Sequence, residues 1–292
     1  MKKRIRLLMM MLVLLVVLVG CSAKESEANK AEISASPEVA KETKTPQAEP
    51  TEIPKEKVNL QVFIAASLKN AMTEIQNNYK VLHPEVEITF NADSSGTLQK
   101  QIEEGAACDV FFSAAMKQMN ALNDGGYVLP DSIVKLLENK VVLIKPVGGE
   151  TAVTGFEDIT KAVNLALAGE DVPVGSYARE IFTSLGILDQ VMAMEINEGA
   201  NVTAVLSAVS EGSNEVGVVY ATDANSVKDS VEIIAEAPAG SLEKPVVYPV
   251  GLIKNAEASD AETTAAKEFV AYLQTEDAIK VLEAYGFTSY NK

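Results

Sequence analysis

Four places in this chain bring hydroxyl or small residues to what reads as the start of a helix. Ser67 precedes a run from Leu68 to Lys80 with apolar residues at helical spacing, and Ser94-Ser95-Gly96-Thr97 precedes a shorter run to Glu104. Pro173-Val174-Gly175-Ser176 stands before Tyr177 to Leu185, and Asn201-Val202-Thr203 heads a run to Glu211. Taken singly, each is an ordinary N-cap, where a side-chain oxygen accepts an exposed N–H and stabilises the helix by about 1 kcal/mol. Taken together, they admit a second reading. A helix N-terminus leaves N–H groups unpaired and carries partial positive charge, so several converging on one point hold an anion without Lys or Arg.

Residues for covalent or acid–base chemistry are scarce. His83 is the one histidine and is followed by Pro84 in an apparent loop, so neither a Ser-His-Asp triad nor a multi-histidine metal site can be assembled. His83 reads as an exposed structural residue. Cys108, just before Val110-Phe111-Phe112, reads as a small core residue rather than a nucleophile. There is no G-x-S-x-G elbow, phosphate-binding P-loop or dinucleotide-binding glycine turn, so no enzyme activity is expected.

The elements that must position these helix starts alternate along the chain. Val58 to Ile64, Val86 to Phe90 and Cys108 to Ser113 read as strands, and helices follow them, the third over Met116 to Asn123. Val141 to Pro146 is a strand ended by proline, after which further strands at Val216 to Tyr220, Val231 to Ala235 and Val246 to Ile253 alternate with helices. Ala261 to Gln274 and Glu276 to Tyr285 close the chain as amphipathic helices. This order implies an α/β fold with a parallel sheet covered on both faces, and it puts the helix starts at the carboxyl ends of strands, where open α/β sheets bind ligands.

The first residues hold four cations in six, Met1 to Arg6, then run apolar from Leu7 to Gly20, the pattern of a secretory signal peptide over residues 1–20. Leu18-Val19-Gly20-Cys21 resembles the lipobox of bacterial lipoproteins, which implies lipidation at Cys21 and a membrane anchor. Residues 21–57 carry Glu, Lys, Ala, Ser, Thr and Pro with almost no large apolar side chains, and read as a disordered tether. Cys108 is the only other cysteine, so the folded part must be held by packing without an internal disulfide. Net charge is −16, and removing four leader cations leaves about −20 (−16 − 4), a surface that repels nucleic acid and anionic lipid headgroups.

Across residues 58–289 a family resemblance carries the argument further. Val62 to Met72 resembles the first strand and helix of periplasmic molybdate-binding proteins, and Ser94 to Ala106 resembles their second loop and helix. Asp109 to Ala115, Val172 to Ala178, Gly217 to Ala224 and Tyr285-Gly286-Phe287 follow in the same order. The resemblance implies a type II periplasmic-binding-protein fold: two α/β lobes joined by two crossing strands and closed by hinge motion. Lobe one would be residues 58–140 plus 248–292, and lobe two residues 141–247. It implies an oxyanion held by the hydroxyls of Ser67 and Ser95, the N–H groups of Val174 and Val202, and the Tyr220 hydroxyl. Gly96 departs from the family, where many members carry a third serine.

The implied ligand is molybdate or tungstate, held as an oxyanion, with no separate cofactor or metal. The implied partners are an ABC permease and its ATPase, reached by a lipid-anchored monomer on the extracytoplasmic face of the cell membrane. Sulfate or another small tetrahedral oxyanion is the alternative ligand. An amino-acid binder would ask for a paired Arg and Asp and a sugar binder for stacking aromatics, yet there is no Trp and no Arg in the proposed loops. A secreted hydrolase is set against the lone His83.

Overall fold

The computed structural model describes residues 57–290; the leader, Cys21 and nearly all of the tether read from the sequence lie outside the described residues. The chain runs β1 (Val58–Ala65), α1 (Lys69–Leu82), β2 (Val86–Asp93), α2 (Ser95–Glu103), β3 (Val110–Phe112), α3 (Met116–Asp124) and β4 (Val134–Asn139). It continues through β5 (Val141–Pro146), β6 (Asn164–Ala168), α4 (Pro173–Ser184), α5 (Leu188–Met192), β7 (Glu195–Gly199), α6 (Val202–Ser210), β8 (Val216–Tyr220), α7 (Ala221–Ser226) and β9 (Val231–Glu236). Last come β10 (Val246–Leu252), α8 (Asp260–Leu273), α9 (Glu276–Ala284) and β11 (Thr288–Ser289).

These strands form two sheets, one of order β11-β4-β10-β3-β1-β2 and one of order β7-β6-β8-β5-β9. The two-lobe α/β architecture implied by the resemblance is the one observed. The single parallel sheet expected from the alternation alone is not. β1 pairs parallel with β2 and β3, but β10 is antiparallel to both β3 and β4; in the second sheet β6 is parallel to β7 and β8, and β5 is antiparallel to β8 and β9. The cause is the crossing. β4 leaves the first sheet and, through Lys140 alone, becomes β5 of the second, while β9 returns to β10 through residues 237–245. A strand that arrives without a crossover helix has no constraint to run parallel to its neighbours.

Local sequence explains most elements. β5 is apolar without alternation because it is buried between two neighbours, and α1 buries Ala71, Met72, Ile75 and Tyr79 on one face. The side chains of Leu143, Ile144, Phe111 and Phe112 are fully buried, each worth about 1.5–3 kcal/mol of hydrophobic transfer. α8 begins with a reciprocal capping box between Ser259 and Glu262, and α9 with Thr275 accepting the Ala278 N–H. Cys108 is buried as expected, and burial pushes its thiol far up from the usual range, which keeps it protonated and unreactive. His83 is half-buried rather than exposed: its ring stacks on Tyr79 with centroids 4.3 Å apart, and its N–H caps α1 on the Tyr79 carbonyl.

Candidate functional site

Ser67, Ser95, Val174, Val202 and Tyr220 line one small cavity between the two sheets, together with Ala65, Ala66, Asp93, Ser94, Ala114, Val172 and Pro173. The space among these residues, part of it open to solvent, is about 210 Å³, and in this structure it is tight, with room for about one water molecule. The positions arrive by two routes. From the first sheet, β1 ends at Ala65 and passes through a tight turn of helix, Ala66–Leu68, that holds Ser67 before α1; β2 ends at Asp93 and Ser94 caps α2, accepting the Thr97 N–H at 3.1 Å. From the second sheet come the N-termini of α4 and α6 and the last residue of β8.

The helix starts differ in detail from the sequence reading. α4 begins at Pro173 and not after Ser176, because proline suits the first helical position, where no N–H is needed. That shift places Val174 within the first turn, where helix geometry leaves its N–H without an intrahelical acceptor. Val202 is likewise the first residue of α6, and Asn201 caps that helix by accepting the Ala204 N–H at 3.0 Å. A Cβ on Gly175 would run into the carbonyls of Ala168 and Gly169, so glycine lets the start of α4 sit against the end of β6.

The hydroxyls are held in contrasting ways. Ser95 is buried and its Oγ accepts the Ala114 N–H at 2.9 Å, which leaves its own proton to give. Ser67 Oγ lies 2.9 Å from the Tyr248 hydroxyl. Tyr220 is 1% exposed, and its hydroxyl has no hydrogen-bond partner, although its ring meets that of Tyr248 edge to face at 5.6 Å. A buried unpaired hydroxyl costs about 1–3 kcal/mol, so its place on a cavity wall marks it as a donor awaiting an acceptor. Burial raises the Tyr220 pKa well above its ordinary value, which keeps the proton on the oxygen.

Charge near the cavity is sparse. Its one charged lining residue, Asp93, is engaged through Oδ1 by the Ser94 N–H at 2.7 Å and, across the lobes, by Asn201 Nδ2 at 3.0 Å. Asp223, behind Tyr220, accepts the Tyr220 N–H at 3.3 Å; burial pushes its pKa up to about 7, which lessens the negative charge beside the cavity near neutrality. Among the described residues no group of His, Cys, Asp and Glu could hold a metal ion. The arrangement can therefore surround a small acceptor-rich species with O–H and N–H donors.

Contacts that the sequence did not disclose complete the site. Lys100 Nζ of α2 meets Asp171 Oδ2 at 2.7 Å, joining the lobes beside the cavity. A Cβ on Gly96 would collide with the Asp171 carbonyl, so the glycine that departs from the family pattern permits a close approach of the lobes at this point. Asn139 and Tyr248, at the lobe crossing, stand behind Ser67. None carries a local signature, because each acts through a partner 70 or more residues away.

Comparison with known proteins places this geometry. The chain is 42% identical over 234 residues to YvgL of Bacillus subtilis (strain 168), named for an ABC transporter substrate-binding lipoprotein, covering 80% of this chain and 87% of that one. It is 35% identical over 237 residues to the molybdate-binding protein ModA of Haemophilus influenzae (strain ATCC 51907 / DSM 11121 / KW20 / Rd), covering 78% and 89%. The solved structure of the Azotobacter vinelandii periplasmic molybdate-binding protein superposes with a TM-score of 0.66 at 24% identity, over 78% of this chain and 98% of that one, a likeness of fold. The profile of the bacterial extracellular solute-binding proteins matches residues 60–288, and the chain belongs to that family.

Proposed function

We propose that this protein captures molybdate or tungstate in the cavity between its lobes and delivers it to an ABC permease driven by a cytoplasmic ATPase. The observation that carries the reading is the buried, unpartnered Tyr220 hydroxyl on the wall of a cavity whose other polar groups are hydroxyls, helix N-terminal N–H groups and the one carboxylate of Asp93, which Ser94 and Asn201 already engage. Ser67, Ser95, Tyr220 and the N–H groups of Val174 and Val202 are the proposed donors. A fully ionised oxyanion accepts from every direction and donates nothing, so it suits these donors; a protonated phosphate would need an acceptor for its proton, and the one carboxylate on the wall, Asp93, already accepts from Ser94 and Asn201. Hydrogen bonds to a charged group contribute about 1.5–3 kcal/mol each, so a few of them bind an ion tightly without a countercharge. The molybdate-binding names of the relatives support this choice.

Cys21 would be lipidated after removal of residues 1–20, with residues 22–57 as the tether of a monomeric, extracytoplasmic protein. The chain would act without a cofactor, and its acidic surface sets it apart from nucleic-acid binders. Titration calorimetry of the chain from residue 22 onward, with molybdate, tungstate and sulfate in turn, tests the ligand. Molybdate and tungstate should bind with similar affinity and sulfate far more weakly; sulfate binding as tightly as molybdate would reassign the site to small tetrahedral oxyanions in general. Cys21→Ser should appear in the medium or as unprocessed precursor, and a mutant still acylated on the membrane would remove the anchor assignment.

A further inference from the structure

Behind Ser67 lies a chain of three polar side chains whose proton directions follow from their partners. Asn139 closes β4, one residue before the chain crosses to the second sheet. Its Oδ1 accepts the Lys140 N–H at 2.8 Å, which turns Nδ2 the other way, toward Thr222 Oγ1 at 2.9 Å and the Tyr248 hydroxyl at 3.2 Å. An amide nitrogen only donates, so the Tyr248 oxygen accepts from Asn139. Tyr248 has one proton, and Ser67 Oγ, 2.9 Å away, is its remaining partner. Either oxygen can donate in that contact; the arrangement that gives the Tyr248 proton an acceptor in it has Ser67 accepting, which frees the Ser67 proton for the cavity that it lines. Burial holds the Tyr248 pKa well above its ordinary range, so this order of donors does not change with pH near neutrality.

The backbone places Tyr248 for this task. β10 pairs with β4 through Tyr248 and Leu137, then shifts register between Tyr248 and Pro249, where proline has no N–H to continue the ladder. Tyr248 is fully buried, its ring edge-on to Tyr220 and to Phe287, so its hydroxyl has little freedom to leave Ser67.

We propose that Tyr248 and Asn139 are positioning residues that hold Ser67 as a hydrogen-bond donor to the bound anion, and so set the preference for fully ionised over protonated oxyanions. The inference rests on the oxyanion reading of the cavity and adds the source of its selectivity. Without the relay the Ser67 hydroxyl could rotate and offer a lone pair, and an anion that carries a proton would then find an acceptor.

The test measures affinities for molybdate and for inorganic phosphate at pH 8, where phosphate is mostly the monoprotonated dianion and the two ligands have equal charge. Two variants are compared with the parent. Tyr248→Phe removes the donor to Ser67 and keeps the ring. Asn139→Asp replaces the amide donor by a carboxylate that would accept the Tyr248 proton, so that Tyr248 becomes an acceptor for Ser67 and the relay runs backwards. The expected result is that the ratio of molybdate to phosphate affinity falls by about tenfold or more in both, since one donor to a charged ligand is lost for molybdate and an acceptor is gained for phosphate. An added charge or loosened packing lowers both affinities alike and leaves the ratio unchanged. An unchanged ratio, with the parent binding molybdate, overturns the relay alone; a parent that binds no oxyanion overturns the reading of the cavity and the relay with it. If Tyr248→Phe fails to fold, the ratio measured for Asn139→Asp decides.

Discussion

Lobe one brings side-chain hydroxyls to the cleft, and lobe two brings backbone N–H groups and one phenol. The lobe-one serines are already engaged by the protein: the Ala114 N–H reaches Ser95, and Tyr248 lies against Ser67. Tyr220, from lobe two, has nothing. On the proposed reading, one side of the cleft is ordered before a ligand arrives, while the other would gain its hydrogen bond only from the ligand. In the closed form without an anion, lobe two would hold a buried donor unsatisfied, which disfavours closure; with the anion in place that cost disappears. A ligand shifts a conformational equilibrium only by its differential affinity for the two states, and under the proposed function Tyr220 would carry such a difference.

Replacing Tyr220 by Phe should give the largest effect on binding, a loss of about 1.5–3 kcal/mol in molybdate affinity with no loss of thermal stability, because the deleted hydroxyl has no protein partner to abandon. Calorimetry reads the first quantity and thermal melting the second, and small-angle scattering should show less ligand-induced compaction. A variant that binds and compacts like the parent would make Tyr220 a core residue only. Ser95→Ala sharpens the contrast, since it should weaken molybdate binding by about one to two decades and also lower stability by about 1–3 kcal/mol, the cost of leaving the Ala114 N–H buried and unpaired. Unchanged melting would show that the lobe-one donor is not pre-engaged.

Gly96→Ala tests the approach of the lobes rather than the donors. The new methyl would meet the Asp171 carbonyl, and relieving such an overlap costs about 1–3 kcal/mol, so binding should weaken roughly tenfold while the apo protein, free to stay open, melts as before. Equal affinity in this variant would mean that the bound form keeps the lobes further apart than here. The smallest effect is expected from Lys100→Ala, which removes the pair with Asp171; both side chains are more than half exposed, so affinity should change at most a few-fold, and less at high salt. Titrations at two ionic strengths would separate that contribution from the others.

The sequence by itself went far on this protein wherever the signal was local. The runs of Val, Ile and Phe in β1, β3, β5 and β8 are legible because buried central strands have no polar face. The order of the motifs from Val62 to Phe287 pointed to the family, and the residues taken from that resemblance come together around one cavity. β7 escaped notice because Glu195-Ile196-Asn197-Glu198-Gly199 is a largely exposed edge whose composition resembles a loop. The start of α4 was placed too late because Pro173 reads as a breaker unless its position in the helix is known.

What only the tertiary structure decided are the relations between residues far apart in the chain. Strand direction at the crossings, the missing partner of Tyr220, the line from Asn139 through Tyr248 to Ser67, and the closeness of Gly96 to Asp171 belong to this class. Side-chain periodicity reports which face of an element is buried, and capping residues report where it begins. Neither reports which oxygen a buried hydroxyl will face, because that is settled by the packing of elements brought together from opposite ends of the sequence.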